Sequence, residues 1–441
     1  MTAGELLARV LAVAGVGAAY GRPLPGVPVT EIADPDVAVL LAHAHRAVHG
    51  VPAVAHLGEG TLIVPGPSPR GGPDPQTPAE VVDAPDVEAL RSLAPALARA
   101  QRGAGVCVDV TTDPAAPVER SLVAVPSAEP AWAEPDQALL GELARAERVV
   151  VLAGPAVVER RAVGALRALA AVGRLGVLNT WGAKGVFDWQ SRHHWATVGL
   201  QARDFELGGV LEADLVLATG VDEREAPRPL WAAAGHAVRE VAPEALGALA
   251  ERWPVAPREF PDMPPLRQRL AAVTQAGWAA SGTPLVPSLV TRHYAQVLGE
   301  AGLVAADPGT AGFWVARTFA TTRLRSVLVP AAPVEGWAPA CALVSRLTAP
   351  LRPVLAVADG PLGARSQAVL REAARLGVGL GIEVWQEGGQ ALDADAHLER
   401  LGDLAGAEPA GRGGAVATLA TDGRQLDEMV DAAGPVRAWT G

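Results

Sequence analysis

Two histidines stand two residues apart in the segment Leu41-Ala-His-Ala-His-Arg46. Imidazole titrates near neutral pH, so His43 and His45 are candidates for moving a proton during a reaction. The alternative is that both belong to the exposed side of an ordinary helix. The segment alone leaves the two interpretations open.

A carboxylate ends the apolar run in Val354-Leu-Ala-Val-Ala-Asp-Gly360. A strand over these residues would bring Asp359 to the carboxyl edge of a parallel sheet, where open α/β sheets bind ligands. There it can ligate Mg²⁺, which prefers oxygen ligands, or it can cap a helix. Both roles remain open from the sequence.

Lysine is almost absent from this chain. Of 37 basic side chains only Lys184 is a lysine, and it lies in the turn Asn179-Thr-Trp-Gly-Ala-Lys-Gly185. A coding bias towards Ala, Gly, Pro and Arg explains why lysine is rare, but it gives no reason for the place of the one that remains.

Tryptophan is abundant, with 11 residues against 2 tyrosines and 5 phenylalanines. If those near turns face one cleft, they form an apolar pocket that can stack on a ligand. The alternative is packing in the core or at subunit interfaces, where tryptophan is enriched. The residues concerned are Trp181, Trp189, Trp195, Trp314, Trp337 and Trp385.

Alternating apolar strands and amphipathic helices must position these residues. Two long blocks of the chain show this alternation, which predicts an α/β fold with parallel sheets covered by helices on both faces. We expect three domains, over residues 1–118, 130–250 and 285–441, with a connector over 252–287. Gly154 and Gly220 follow predicted strands of the central domain and so stand at its ligand-binding edge.

Composition excludes several classes of protein. The 441 residues carry a net charge of −11, which argues against coating nucleic acid or an anionic membrane. The two cysteines exclude a disulfide-rich scaffold and an all-cysteine metal site. The chain has no run of 18 or more apolar residues, so no membrane helix is predicted. The acidic Glu5 stands where a signal peptide carries positive charge. We therefore expect a cytoplasmic protein.

The central block resembles the thiamine diphosphate (ThDP) enzymes of the acetolactate synthase and 2-oxoacid decarboxylase group. Three segments carry the resemblance: Arg148-Val-Val-Val-Leu-Ala-Gly154, the lysine turn 179–185, and Glu212-Ala-Asp-Leu-Val-Leu-Ala-Thr-Gly220. The resemblance implies a pyrimidine-binding domain, a central Rossmann-like domain and a diphosphate-binding domain, in that order. The first of these is shortened here, since a Gly-Pro-Gly region of the family is missing.

The resemblance also places the family's site residues, and here the chain departs from the pattern. The family's catalytic glutamate, which promotes ylid formation, falls at Ala44. Alanine can neither donate nor accept that proton, so His43 and His45 become the candidate substitutes.

The diphosphate anchor of the family is only partly present. Asp359-Gly360 matches its Gly-Asp-Gly motif and Gly309 its Asp-x-Gly turn, whereas the Asn-Asn partner falls at Trp385 or Gln386. The resemblance therefore implies cofactor binding by Gly309, Asp359, Gly360 and Gln386, with Asp359 as the metal ligand.

Three hypotheses follow. The first is a degenerate relative that keeps the fold and in which ordinary ThDP catalysis is impaired or lost; a chain without cofactor is then as good an expectation as one with ThDP and Mg²⁺. The second is an active lyase or carboligase acting on a 2-oxoacid with a non-standard base. The third is a different enzyme that binds a nucleotide or a CoA-like ligand at the central domain. The resemblance implies a homodimer or tetramer, or an intact ThDP enzyme as partner subunit, with no nucleic acid and no membrane involved.

Overall fold

The computed structural model describes residues 1–24, 26–66, 80–100, 105–118, 136–232, 237–254, 259–406 and 414–439. Within these ranges the strands form three sheets with flanking helices, which confirms the predicted α/β class. Two further stretches are rich in proline: residues 126–135, which this composition predicts to be a linker, and residues 65–78, which it predicts to be a loop. The whole of the first and most of the second lie outside the described residues. None of the described helices has the length and apolar character needed to cross a bilayer.

The first domain has a six-stranded sheet in the order β2-β1-β3-β4-β6-β5. Its elements are α1 (Ala3–Val13), β1 (Ala18–Gly21), β2 (Thr30–Glu31), α2 (Pro35–His49), β3 (Ala53–Gly58), β4 (Thr61–Pro65), β5 (Glu80–Ala84), α3 (Val87–Ala100) and β6 (Gly105–Val110).

This sheet is mixed, which corrects the expectation of a wholly parallel one. Strand β4 runs antiparallel to both β3 and β6. The cause is local: Glu59 and Gly60 both have positive φ, 49° and 84°, as a two-residue type I′ hairpin requires. Strands joined by so short a turn must run antiparallel.

The central domain has a five-stranded parallel sheet in the order β11-β10-β7-β8-β9. Its elements are α4 (Gln137–Arg145), β7 (Val149–Ala153), α5 (Ala156–Glu159), α6 (Val163–Gly173), β8 (Gly176–Thr180), β9 (His194–Val198), α7 (Asp204–Leu207), β10 (Leu215–Thr219), β11 (Ala237–Glu240), α8 (Leu246–Glu251) and α9 (Pro265–Trp278). Every residue of β7, β8 and β10 is buried, as expected of a sheet covered on both faces.

The third domain repeats this architecture with the strand order β13-β12-β14-β15-β16, again parallel. Its elements are α10 (Pro287–Leu298), β12 (Leu303–Ala306), α11 (Thr310–Thr318), β13 (Val327–Leu328), α12 (Trp337–Thr348), β14 (Val354–Asp359), α13 (Ala364–Arg375), β15 (Gly381–Gln390), α14 (Ala394–Ala405), β16 (Ala415–Leu419) and α15 (Gln425–Ala433).

The region predicted as a connector, 252–287, contains the helix α9. This 14-residue helix packs against α15 and α10 of the third domain and touches β9 of the central domain. Its proline and alanine content concealed it, since Pro265 stands at the first helical position, where proline is tolerated. Helix α9 therefore joins two domains and is not a simple linker.

Helices α2 and α12 pack on each other and share one apolar core, so the first and third domains meet within a single chain. Ala44 of α2 and Val344 of α12 belong to this core, and both are fully buried.

Candidate functional site

The two candidate histidines lie on α2, whose ends are clearly set by its sequence. The Asp34 carboxylate accepts hydrogen bonds from the backbone N–H groups of Asp36 and Val37, and Gly50 ends the helix in a left-handed conformation. His43 and His45 are both buried, so the interpretation as an exposed helix side is wrong.

His45 already has a partner inside the protein. Its Nδ1 lies 2.9 Å from the hydroxyl oxygen of Tyr20, and its ring packs against that of His49. Burial, together with the nearby His49, lowers the pKa of His45 to about 4, so the ring is neutral at pH 7. The neighbouring Ala44 is 0% exposed and supplies only a methyl group to the core.

Asp359 stands at the carboxyl edge of the third sheet, as predicted, but its carboxylate caps a helix. It accepts hydrogen bonds from the backbone N–H groups of Thr310 and, at 3.1 Å, of Ala311, the first two residues of α11. Gly309, with φ of 129°, allows this approach because a Cβ at that position would collide with the carboxylate. Burial raises the pKa of Asp359, against the lowering effect of these two bonds.

The next two helices at this edge are capped in the same way. The Asp307 carboxylate accepts a 2.8 Å hydrogen bond from the N–H of Ala338 in α12. The Glu335 carboxylate accepts a 2.9 Å bond from the N–H of Arg365 in α13. Burial raises the pKa of Asp307 to about 7, and the charges of Glu335 and Asp359 add to that rise.

The remaining predicted cofactor residues do not complete a metal site. Trp385 pairs directly with Asp359 across β14 and β15, and its indole N–H donates to the Tyr294 hydroxyl at 2.7 Å. Gln386 follows on the half-buried end of that strand, and the N–H of Gly360 donates to the Trp385 carbonyl at 2.7 Å. In the described part of the chain, no group of three or more His, Cys, Asp or Glu side chains is placed to hold a metal.

This edge therefore does not fit a magnesium diphosphate. Helix N-termini bind anions because their first N–H groups carry partial positive charge. Here the N–H groups of α11, α12 and α13 face carboxylates of the chain itself, which would repel phosphate oxygens.

The edge of the central sheet that carries Gly154 and Gly220 is closed by backbone hydrogen bonds. The N–H of Gly154 donates to the Thr219 carbonyl at 2.9 Å, and that of Ala156 donates to the Gly220 carbonyl at 3.1 Å. A Cβ on Gly154 would strike Gly220, so close approach of two turns explains this glycine. A cavity of about 380 Å³ lies alongside, but Glu223 and Glu240 line it, which disfavours phosphate.

The lysine turn lies beyond β8, where residues 181–183 form a short 3₁₀ helix. Buried Glu225 accepts hydrogen bonds there from the Thr180 hydroxyl and, at 3.1 Å, from the N–H of Gly182. Burial raises the pKa of Glu225 to about 8, so this carboxyl group is largely protonated at pH 7.

Lys184 is only 8% exposed, and within the described residues its ammonium makes no hydrogen bond or ion pair. Burial, with the charge of Arg317 adding to it, lowers the pKa of Lys184 to about 7. The side chain lines two cavities. We call the one of about 100 Å³, where all three domains meet, the junction cavity, and the one of about 220 Å³, reaching α9, the tryptophan cavity.

The junction cavity combines charged groups with free indole donors. Arg46, Glu159, Glu225 and Arg325 line it. The indole N–H groups of Trp181 and Trp337, which also line it, are buried without a hydrogen-bond partner.

Sequence reasoning found part of this region. Of the six tryptophans singled out, Trp181 and Trp337 line the junction cavity, and Trp189 and Trp195 line the tryptophan cavity. Trp314 and Trp385 pack in the core of the third domain. Arg267 and Trp278 were missed, because they lie on α9 in the predicted connector.

One comparison with known proteins gives a match. Residues 137–232 match the family model described as thiamine pyrophosphate enzyme, central domain, and thiamine pyrophosphate is another name for ThDP. A search of curated proteins found no match to the chain. The match covers the part of the central domain from α4 to the loop after β10, including the lysine turn, and indicates that this part of the chain is similar to the ThDP-dependent enzymes.

Proposed function

We propose that this chain is a ThDP-enzyme-like protein of acetolactate synthase type in which ordinary ThDP catalysis is lost. The observation that carries the proposal is the capping of α11, α12 and α13 by Asp359, Asp307 and Glu335. Anion binding at this edge would first have to displace these carboxylates, and a diphosphate brings several negative charges towards them.

The α2 helix supports the same proposal. The family's catalytic glutamate corresponds to Ala44, which is buried in the core that α2 shares with α12. His45 is hydrogen-bonded to Tyr20, and its pKa, lowered by burial to about 4, makes it a weak base. The protein's role then depends on binding rather than on carbanion chemistry.

Calorimetric titration of the full chain with ThDP and Mg²⁺ tests the proposal. We expect no heat of binding at millimolar cofactor, no cofactor in the mass spectrum of the purified protein, and no turnover of 2-oxoacids. An intact ThDP enzyme in the same buffers is the positive control. Tight, metal-dependent binding would contradict the proposal.

If binding and turnover do appear, two variants identify their source. Asp359→Ala should then abolish Mg²⁺-dependent binding, because the metal would lose its one carboxylate. The double change His43→Ala with His45→Ala should abolish turnover if a histidine replaces the missing glutamate. Unchanged turnover in the double variant would exclude that base.

We also propose that the chain forms a homodimer or tetramer, or pairs with an intact ThDP enzyme. Support comes from the resemblance and from the tryptophan-rich composition, since tryptophan is enriched at protein interfaces. Light scattering coupled to size exclusion measures the mass directly. A monomer of 45.2 kDa, alone and when mixed with an intact relative, would contradict this part.

A further inference from the structure

The tryptophan cavity is positively charged although the protein is acidic overall. Its lining includes Lys184, Arg267 and Arg317, and no aspartate or glutamate lines it. Arg317 is neutralised from behind by Asp204, whose two carboxylate oxygens both lie 2.8 Å from the guanidinium Nη2. Lys184 and Arg267 make no ion pair with any described residue.

The guanidinium of Arg267 donates its hydrogen bonds to backbone carbonyl groups and not to a carboxylate. Its guanidinium donates to the carbonyl oxygens of Trp189 at 3.0 Å, Ser191 at 3.3 Å and His194. These bonds hold residues 189–194 against α9, but carbonyl groups do not cancel the positive charge. The cavity therefore holds the Arg267 guanidinium and the Lys184 amine without a carboxylate partner among the described residues.

Unused hydrogen-bonding groups accompany this charge. The indole N–H of Trp278 and the Nδ1 of His194 are buried without a partner. Lys184, a residue that is only 8% exposed, also makes no hydrogen bond within the described residues. Buried polar groups are normally satisfied, and a buried charge is normally paired, so this cluster indicates a ligand with negatively charged oxygen atoms.

Between these polar groups the cavity is lined by aromatic and aliphatic side chains. Trp189 and Trp278 meet edge to face with their ring centroids 5.9 Å apart, and Trp195, Leu270 and Phe319 also line the cavity. An apolar cavity of about 150 Å³ holds a benzene molecule. At about 220 Å³, the tryptophan cavity has room for one ring that carries a carboxylate.

We propose that the tryptophan cavity binds an aromatic monocarboxylate, with its carboxylate at Lys184 and its ring between Trp189, Trp195 and Trp278. Arg267 adds positive charge at the same end, and the Trp278 indole supplies a further donor. None of these residues belongs to the capped edge at Asp359, so the inference is independent of whether ThDP binds.

Calorimetric titration of the full chain with benzoate tests the site. We expect benzoate to bind, and benzyl alcohol, which has the ring but no charge, and phosphate, which has charge but no ring, to bind more weakly. No benzoate binding at millimolar concentrations would overturn the proposal. Phosphate binding as tight as benzoate would overturn its aromatic part, and equal binding of benzyl alcohol would overturn its charge part.

Matched variants locate the ligand. Lys184→Met keeps the length of the side chain and should weaken benzoate binding roughly 10- to 100-fold, because it removes a charged hydrogen bond. Trp278→Phe keeps a ring and loses the donor, for a loss of roughly three- to tenfold. Trp337→Phe removes an equally unpartnered indole from the junction cavity and should change nothing. Equal affinity of the Lys184→Met variant and the natural chain would place the ligand elsewhere.

The single lysine offers a second readout that does not depend on calorimetry. An amine-reactive reagent can label only Lys184 and the N-terminal amine of this chain. Benzoate should slow labelling of Lys184 and leave the N-terminal amine unaffected, as mass spectrometry of the peptides will show. Equal protection of both amines, or of neither, would contradict the proposed site.

The pH dependence follows from the proton on Lys184. A bound carboxylate favours the ammonium form, so benzoate affinity should fall as the pH rises above 7. Affinity that stays constant from pH 6 to 9 would contradict the ion pair. The charged and titratable groups that line the two cavities around Lys184 are Arg267, Arg317, His194, Arg46, Arg325, Glu159 and Glu225.

Discussion

The third-domain edge and the lysine turn both gather charged side chains at the carboxyl ends of parallel strands, yet the charges are satisfied very differently. At the edge, Asp359 and its neighbours meet helix N–H groups of the same chain. At the turn, Lys184 meets no partner among the described residues. The carboxylates of the first region are hydrogen-bonded within the chain, whereas the ammonium of Lys184 in the second is not.

This difference shows where to look for function in a chain that resembles a known family. The resemblance directs attention to the edge at Asp359, where the helix N-termini are capped by the chain's own carboxylates. Unsatisfied charge, which costs stability unless something binds, marks the other cavity. Replacing a charged residue in each region distinguishes a paired charge from an unpaired one.

The largest effect is expected from removing a partner where the charge is satisfied. Arg317→Met leaves the fully buried Asp204 without its counter-ion and should lower the free energy of unfolding by about 3–5 kcal/mol. Urea denaturation measures this. Arg203→Met, which breaks an exposed pair with Glu206, is the control and should have little effect. Equal losses of stability in both variants would contradict the expected difference between a buried and an exposed ion pair.

Removing the unpaired charge of Lys184 should instead raise the free energy of unfolding. Since the pKa of Lys184 is lowered to about 7, the unfolded chain binds a proton between pH 7 and 10 that the folded chain does not. Folding stability from this group therefore rises with pH, by at most about 1.4 kcal/mol per unit.

Lys184→Met removes that dependence. The variant should be more stable than the natural chain at pH 6, and the two should converge towards pH 10. Thermal unfolding at a series of pH values measures the difference. A variant less stable than the natural chain at pH 6 would show that Lys184 is satisfied after all.

The smallest effect is expected at the capped edge. Asp359→Ala removes two capping hydrogen bonds from α11 and should cost about 1–2 kcal/mol. Asp359→Asn, which keeps one acceptor oxygen, should lose less. Because the alanine variant exposes the N–H groups of α11, phosphate should raise its melting temperature more than that of the natural chain. Unchanged stability without phosphate would mean that the cap contributes nothing.

Local pattern was enough to predict three of the five strands of the central sheet, and β9 and β11 escaped it. The apolar runs Val149–Ala153, Gly176–Thr180 and Leu215–Thr219 predict β7, β8 and β10 with the bounds found in the structure, because continuous apolar runs between turn residues leave few alternatives. Helix α9 escaped prediction since its alanines and prolines resemble a linker, and only contacts with two domains bury its apolar side.

The candidate site was harder to predict because its contacts span the chain. Asp359 is a plausible metal ligand until its carboxylate is seen to meet residues 48 and 49 positions earlier in the chain. The tryptophan cavity likewise joins a turn at Lys184 to Trp278, on a helix that the sequence did not reveal. The composition drew attention to the lysine and the tryptophans, but it could not predict which distant residues lie beside them in the fold.

The core shared by α2 and α12 has a consequence for synthesis of the protein. The ribosome makes α2 early and α12 only after the whole central domain, at about 5–20 residues per second. Helix α2 can pack on β1 and β3 of its own domain at once, but its face towards α12 has no native partner until α12 emerges. The first domain therefore completes its core only when the third domain closes over it.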